Sequence, residues 1–228
     1  MVVMTAASPA SAEASPVRRV RRALLALVAV AGTTVACGGH APVHRVGERA
    51  SDTSGYELAF TEAGGADEIG LPTTSVGNWG TGCRQLFSGG TARTAVLLQW
   101  PCGRNRQVFA VTGDFWALYR ARGDIAPATY GFPVGRRGEW KGGWTQGFGR
   151  EGGLEHFFMQ RPGQEPHVVS SPILDYYLSF DDREARFGYP TSDEVTGPDG
   201  RRCQAFERAA ITASGDGSQL STGRCTGP

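Results

Sequence analysis

The sequence predicts an α+β domain of three similar units, each a short helix, a Gly-x-Pro corner and antiparallel strands, packed together as one body. Three observations lead there. Gly70-Leu71-Pro72, Gly131-Phe132-Pro133 and Gly188-Tyr189-Pro190 share a Gly-apolar-Pro pattern, their glycines 61 and 57 residues apart. Gln85-Leu86-Phe87, Gln146-Gly147-Phe148 and Gln204-Ala205-Phe206 follow the prolines after 13, 13 and 14 residues, so two linked motifs recur in phase. Helical spacing of apolar residues precedes each corner, and strand-like runs follow it.

Each element has a physical basis. In the corner, glycine permits a positive φ or close backbone approach, and proline bars helix continuation and holds the residue before it extended. Ahead of the third corner, Ser171 and Pro172 suit a helix start, and Ile173, Tyr176, Tyr177 and Phe180 keep one apolar face. In the second unit Asp114 is the expected cap for a helix carrying Phe115, Trp116, Leu118 and Tyr119, ended by Gly123. A weaker version spans residues 56–62. Behind the corners, residues 95–100, 108–111, 155–160 and 167–169 read as strands bounded by turns. The units fall at about 56–110, 111–168 and 169–228. None could bury its apolar face alone, so they must stack.

The first 36 residues read differently. Arg18, Arg19, Arg21 and Arg22 precede an apolar stretch from Ala23 to Ala36, shorter than the roughly 20 residues of a membrane span. The segment is expected to be a signal peptide. Thr34-Val35-Ala36-Cys37-Gly38 resembles the lipobox of bacterial lipoproteins, which implies that Cys37 is acylated with a diacylglyceryl group and becomes the mature N-terminus. Residues 37–55 carry few large apolar side chains and read as a lipidated, flexible tether. His40 and His44 lie there without a cysteine or carboxylate cluster, so no metal site is expected.

Four further cysteines, Cys83, Cys102, Cys203 and Cys225, suit two disulfides in an exported chain. Cys83 and Cys203 open similar segments, and each has a second cysteine about 20 residues on. That points to the local pairs Cys83–Cys102 and Cys203–Cys225.

The units resemble the LGFP repeat of exported envelope proteins in mycolate-containing Gram-positive bacteria. The motif-bearing residues are Gly70, Pro72, Gln85 and Phe87, then Gly131, Pro133, Gln146 and Phe148, then Gly188, Pro190, Gln204 and Phe206. Ile69, Tyr130 and Phe187 stand where the family has leucine. The family's acidic continuation is kept only in Pro190-Thr191-Ser192-Asp193-Glu194; the second unit reads Val134-Gly135-Arg136. The resemblance implies association with wall polysaccharide and does not itself imply catalysis.

Function classes narrow accordingly. Without residues 1–36 the chain keeps 19 basic and 21 acidic side chains, with Lys141 its only lysine, so no basic stripe suits nucleic acid. No nucleophile elbow, HExxH or Walker loop occurs, and no cofactor is expected. His156, in a strand, reads as structural. Asp181-Asp182-Arg183-Glu184 could offer paired carboxylates but reads as a solvated face. Trp140 and Trp144 flank the Lys141-Gly142-Gly143 step and are candidate glycan-stacking residues, whereas Trp100 and Trp116 suit the core. The expected function is a non-enzymatic, lipid-anchored surface protein that binds wall glycan. A second reading is an accessory partner of an envelope enzyme, and a third is a wall hydrolase. Cys37→Ala is expected to leave an unprocessed, unacylated precursor; normal maturation and membrane retention on immunoblots of cell fractions would refute it.

Overall fold

Helices and sheets alternate along the molecule, because each of the first two sheets buries both of its faces. The computed structural model describes residues 43–225. The first unit comprises α1 (Thr53–Glu62), α2 (Gly65–Ile69), β1 (Leu71–Pro72), β2 (Gly77–Trp79), β3 (Gly82–Ser88), β4 (Thr94–Gln99) and β5 (Val108–Thr112). The second comprises α3 (Gly113–Arg120), a 3-10 turn at Gly123–Ile125, α4 (Ala126–Tyr130), β6 (Phe132–Pro133), β7 (Gly138–Trp140), β8 (Gly143–Gly149), β9 (His156–Gln160) and β10 (His167–Ser170). The third comprises α5 (Ile173–Leu178), α6 (Arg183–Arg186), β11 (Val195–Thr196), β12 (Arg202–Ala205), β13 (Ala210–Ala213) and β14 (Leu220–Gly223). All pairings are antiparallel. The first two sheets run β1-β3-β4-β5 and β6-β8-β9-β10, with β2 and β7 added beside β3 and β8; the third runs β11-β12-β13-β14.

Strand β4 shows why its sequence is apolar without alternation. Ala95 and Leu97 join the cluster around Tyr56 on α1, while Val96 and Leu98 join the cluster around Phe115 and Tyr119 on the next unit's α3. In β9, Phe158 faces the same α3 cluster and Met159 faces Ile173 and Tyr177 on α5. A strand covered on both faces has no solvent side to mark with polar residues. The third sheet places Ile211 and Ala213 against α5, whereas Cys203 pairs across with Thr212 on its opposite face.

The recurring glutamine joins consecutive units. Nε2 of Gln85 donates to the carbonyls of Arg45 and Thr74 at 2.7 and 2.9 Å. Gln146 donates to Ala110 and Gly135 at 2.9 and 3.1 Å, and Gln204 to Val168 and Ser192 at 2.9 and 3.0 Å. The second acceptor stands four residues after the corner glycine each time. The first lies on the segment that precedes the unit. All three glutamines are buried, so these bonds form away from competing water.

The corners repeat as closely. Pro72 pairs with Phe87, Pro133 with Phe148 and Pro190 with Phe206. Gly70, Gly131 and Gly188 have φ of 84°, 70° and 73°. A Cβ on them would lie 2.0 Å from Ser88 O, 2.1 Å from Gly149 O and 2.2 Å from the Glu207 carboxylate. Glycine is therefore required both by conformation and by space. Helix aromatics brace the corners: Tyr119 OH donates to Gly131 O at 2.5 Å and Tyr177 OH to Gly188 O at 3.0 Å. Their rings lie 5.4 Å from Phe148 and 5.3 Å from Phe206; in the first unit Phe60 stands 5.7 Å from Phe87 without a hydroxyl.

Several expectations are corrected. Residues within the tether read over 37–55 are already packed: Val46 and Ala50 lie against the first cluster, Gly47 N donates to Gln85 Oε1 at 2.8 Å, and Asp52 caps α1. The buried Gln85 amide needs those partners. Thr112, not Asp114, is the N-cap of α3, and Asp114 instead accepts from Gln160 Nε2 at 2.6 Å. Gly123 opens the 3-10 turn, the helix having ended at Ala121, and Ser171 bonds to Asp175 rather than capping α5. A second short helix precedes each corner where only one was read. Cys37 and the signal segment lie outside the described residues.

Both disulfides join the expected partners, Cys83–Cys102 and Cys203–Cys225, with Cα separations of 5.3 and 5.6 Å. Their placement is less parallel than the sequence suggested. Cys83 stands two residues before Gln85 and joins the α1 cluster, whereas Cys203 stands one before Gln204 and points to the other side of its sheet. Among the described residues no helix follows to cover that side, and a crosslink there limits the freedom of the unfolded chain. Gly131→Ala is expected to lower stability by about 3 kcal/mol through strain and the clash with Gly149 O. Gly135→Ala, where an added Cβ meets nothing within 4 Å, is the near-neutral control, both measured by urea unfolding.

Candidate functional site

The hairpin β7–β8 carries both candidate tryptophans, and its register separates them. Trp140 pairs with Gly143 and Glu139 with Trp144, so the two rings leave opposite faces of the hairpin. A shared clamp on one sugar, expected from their spacing, is therefore not formed. Trp140 packs on the third unit, 6.3 Å from the Tyr177 ring and 5.2 Å from that of Tyr189, whose hydroxyl bonds to the Trp140 carbonyl. Trp79, at the equivalent hairpin tip of the first unit, meets Trp116 and Tyr119 of the second at 6.0 and 5.6 Å. Both hairpin-tip tryptophans hold one unit to the next. The corner residues answer them: Phe132 and Tyr189 are buried against the preceding unit's Gly82 and Gly143, while Leu71, which meets no such hairpin among the described residues, is 62% exposed.

Trp144 turns the other way, is 37% exposed, and lines a groove of about 460 Å³ at the seam between the first and second units. Its apolar floor comes from Ala59 of α1, Ala63 at that helix's C-cap, and Val108 and Ala110 of β5. Arg136 and Arg137 enter from the segment after the second corner, and Glu62 and Glu68 from the first unit. The Arg137 guanidinium lies 4.5 Å from the Trp144 ring and 5.3 Å from that of Phe115. It reaches Thr112 Oγ1 through Nη1 at 3.3 Å, and its buried Nε has no hydrogen-bond partner. Burial pulls its pKa below the usual arginine value, opposed by the negative charges of Asp114 and Glu68. Arg136 is paired with Glu62, and Glu68 Oε2 accepts from Thr91 Oγ1 at 2.5 Å. An aromatic face, fixed cationic donors and carboxylate acceptors around a concave apolar floor can stack a sugar ring and bond its hydroxyls.

The other candidates are engaged structurally. His156 Nδ1 lies 2.8 Å from Ser170 Oγ, its ring is edge-on to Tyr130 at 5.5 Å, and burial lowers its pKa. In the acidic run, Asp182 pairs with Arg186 at 3.2 Å and Glu184 with Arg208 at 3.5 Å. His44 pairs with Glu48 at 2.9 Å. Among the described residues no group of three or more His, Cys, Asp or Glu is placed to hold a metal ion, and no helix is long and apolar enough to cross a membrane.

Sequence reasoning singled out Trp144 but missed Arg137. Its signal was the replacement of the acidic pair Asp193-Glu194 by Arg136-Arg137 at the same distance from the corner, which looked only like a lost acid. The chain matches no family model and no curated protein. Trp140→Ala is expected to lower stability by about 3 kcal/mol, as for large core aromatics. Trp144→Ala should lower it by less than about 1 kcal/mol, the worth of an exposed cation–π contact. Thermal unfolding of both variants checks the contrast, and equal losses would remove the distinction.

Proposed function

We propose that this chain is an exported, non-enzymatic surface lipoprotein of the LGFP-repeat type that binds cell-wall glycan, anchored to the membrane through acylated Cys37. The observation that carries the reading is the seam groove: Trp144 is a partly exposed indole beside fixed charged donors and acceptors. The two disulfides fit an oxidising compartment outside the cytoplasm. The groove's carboxylates are occupied, Glu62 by Arg136 and Glu68 by Thr91, which favours binding over acid–base chemistry. Leu58 and Leu71, 59% and 62% exposed on the first unit, favour a second reading as the accessory partner of an envelope enzyme.

Co-sedimentation of the full chain with fractionated wall polysaccharides tests the choice. Trp144→Ala is expected to weaken sedimentation about tenfold, since one well-packed aromatic–sugar contact is worth about 1–2 kcal/mol and each 1.4 kcal/mol is tenfold. Binding untouched by Trp144→Ala would remove the groove as the site. Absence of any sedimentation would move the enzyme-partner reading ahead.

A further inference from the structure

The two seams carry opposite chemistry at matching positions. Six residues after the corner glycine stands Arg137 in the second unit and Glu194 in the third, and two residues before the glutamine stand Trp144 and Arg202. At the second seam Arg202 Nη1 lies 3.3 Å from Glu194 Oε1, and Asp193 Oδ1 meets His167 Nδ1 at 2.9 Å. The charges there answer one another. At the first seam Arg137 has aromatic rings at 4.5 and 5.3 Å in place of a carboxylate, and among the described residues none lies within ion-pair distance of it. The nearest acids in the groove, Glu62 and Glu68, are held by Arg136 and Thr91.

Asp114 and Glu68 act on this half-buried guanidinium only from beyond ion-pair distance, so an anion in direct contact would offset more of the cost of its burial. Two aromatic rings and the Thr112 hydroxyl hold the guanidinium in place on the groove lining, so its remaining Nη donors are set to pair with the oxygens of an anion. The groove beside it, about 460 Å³, has room for a small saccharide and reaches the exposed part of the Trp144 ring. We propose that the first-seam groove takes an acidic saccharide, its carboxylate or phosphate pairing with Arg137 while a sugar ring lies against Trp144. This rests on the glycan reading above and names its ligand class. Arg136, at the rim with its side chain 65% exposed, adds positive charge when Glu62 releases it.

Calorimetric titration of the full chain tests the proposal with two matched pairs of probes. One pair is tetragalacturonate and its fully methyl-esterified form; the other is a phosphomannan oligosaccharide and its dephosphorylated twin. The charged member of at least one pair is expected to bind tenfold or more tightly than its neutral twin, and the pair that responds identifies carboxylate or phosphate. Arg137→Met should abolish that preference, whereas Trp144→Ala should weaken both members alike. If Arg137→Met does not fold, Arg136→Gln should reduce the preference two- to threefold. Equal binding within both pairs overturns the proposal, as does a preference that survives Arg137→Met. Failure of all four probes while the chain still sediments with wall polysaccharide also overturns it and leaves the glycan reading standing. Failure of sedimentation as well removes the glycan reading itself.

Discussion

One primary amide per unit, shielded from water, ties the molecule together. Gln85, Gln146 and Gln204 each place two N–H donors between a carbonyl of the preceding segment and a carbonyl of their own corner. No shorter side chain spans that gap, and no carboxylate could donate to it. The bond pair fixes two things at once: how the corner lies on its strand, and how the unit sits on the one before. Glycine at the corner, proline opposite the phenylalanine and the helix tyrosine bonded to the corner carbonyl all follow from holding the chain that close. In the first unit the segment around Arg45 and Gly47 takes the place of a preceding strand, so it belongs to the folded body.

The fold was legible where a residue's identity is dictated by backbone geometry. Gly-x-Pro announces a positive φ and a blocked helix, and its phase with Gln-x-Phe marks the units, although the burial and bonding of the glutamine amide came only with the structure. The α+β class and both cysteine pairs could be read from that frame. Elements that depend on distant partners were hidden. The short helices α2, α4 and α6 are too brief for periodicity to register. The cap of α3 went to Thr112 because Asp114 is drawn to Gln160, a residue 46 positions away. The cysteines paired as expected although Cys83 and Cys203 stand out of phase, so a correct pairing came from an imperfect analogy.

The site was legible only in part, because a tryptophan's spacing says nothing of which face it takes until the register is known. A slip of one residue turns a strand over. Trp140 and Trp144, four positions apart, would share a face on a continuous strand, yet the two-residue turn between them sends one indole into the third unit and the other to the groove. Arg137 was invisible for a related reason. Its meaning lies in what is missing around it, and that emerges only against Glu194 and Arg202 at the matching positions of the next seam.

The hairpin-tip tryptophans also give the stack a direction. Each is presented forward, toward the unit that comes later in the chain, and each is met by that unit's helix and corner. At the matching tip of the third hairpin stands Gly197, which has no ring to offer. Register and glutamine clamp are intact there, but the coupling that would receive another such unit is not. A unit stacked after the third would therefore lack the ring that joins the first to the second and the second to the third, and placing the third unit at an interior position would interrupt the series at that joint.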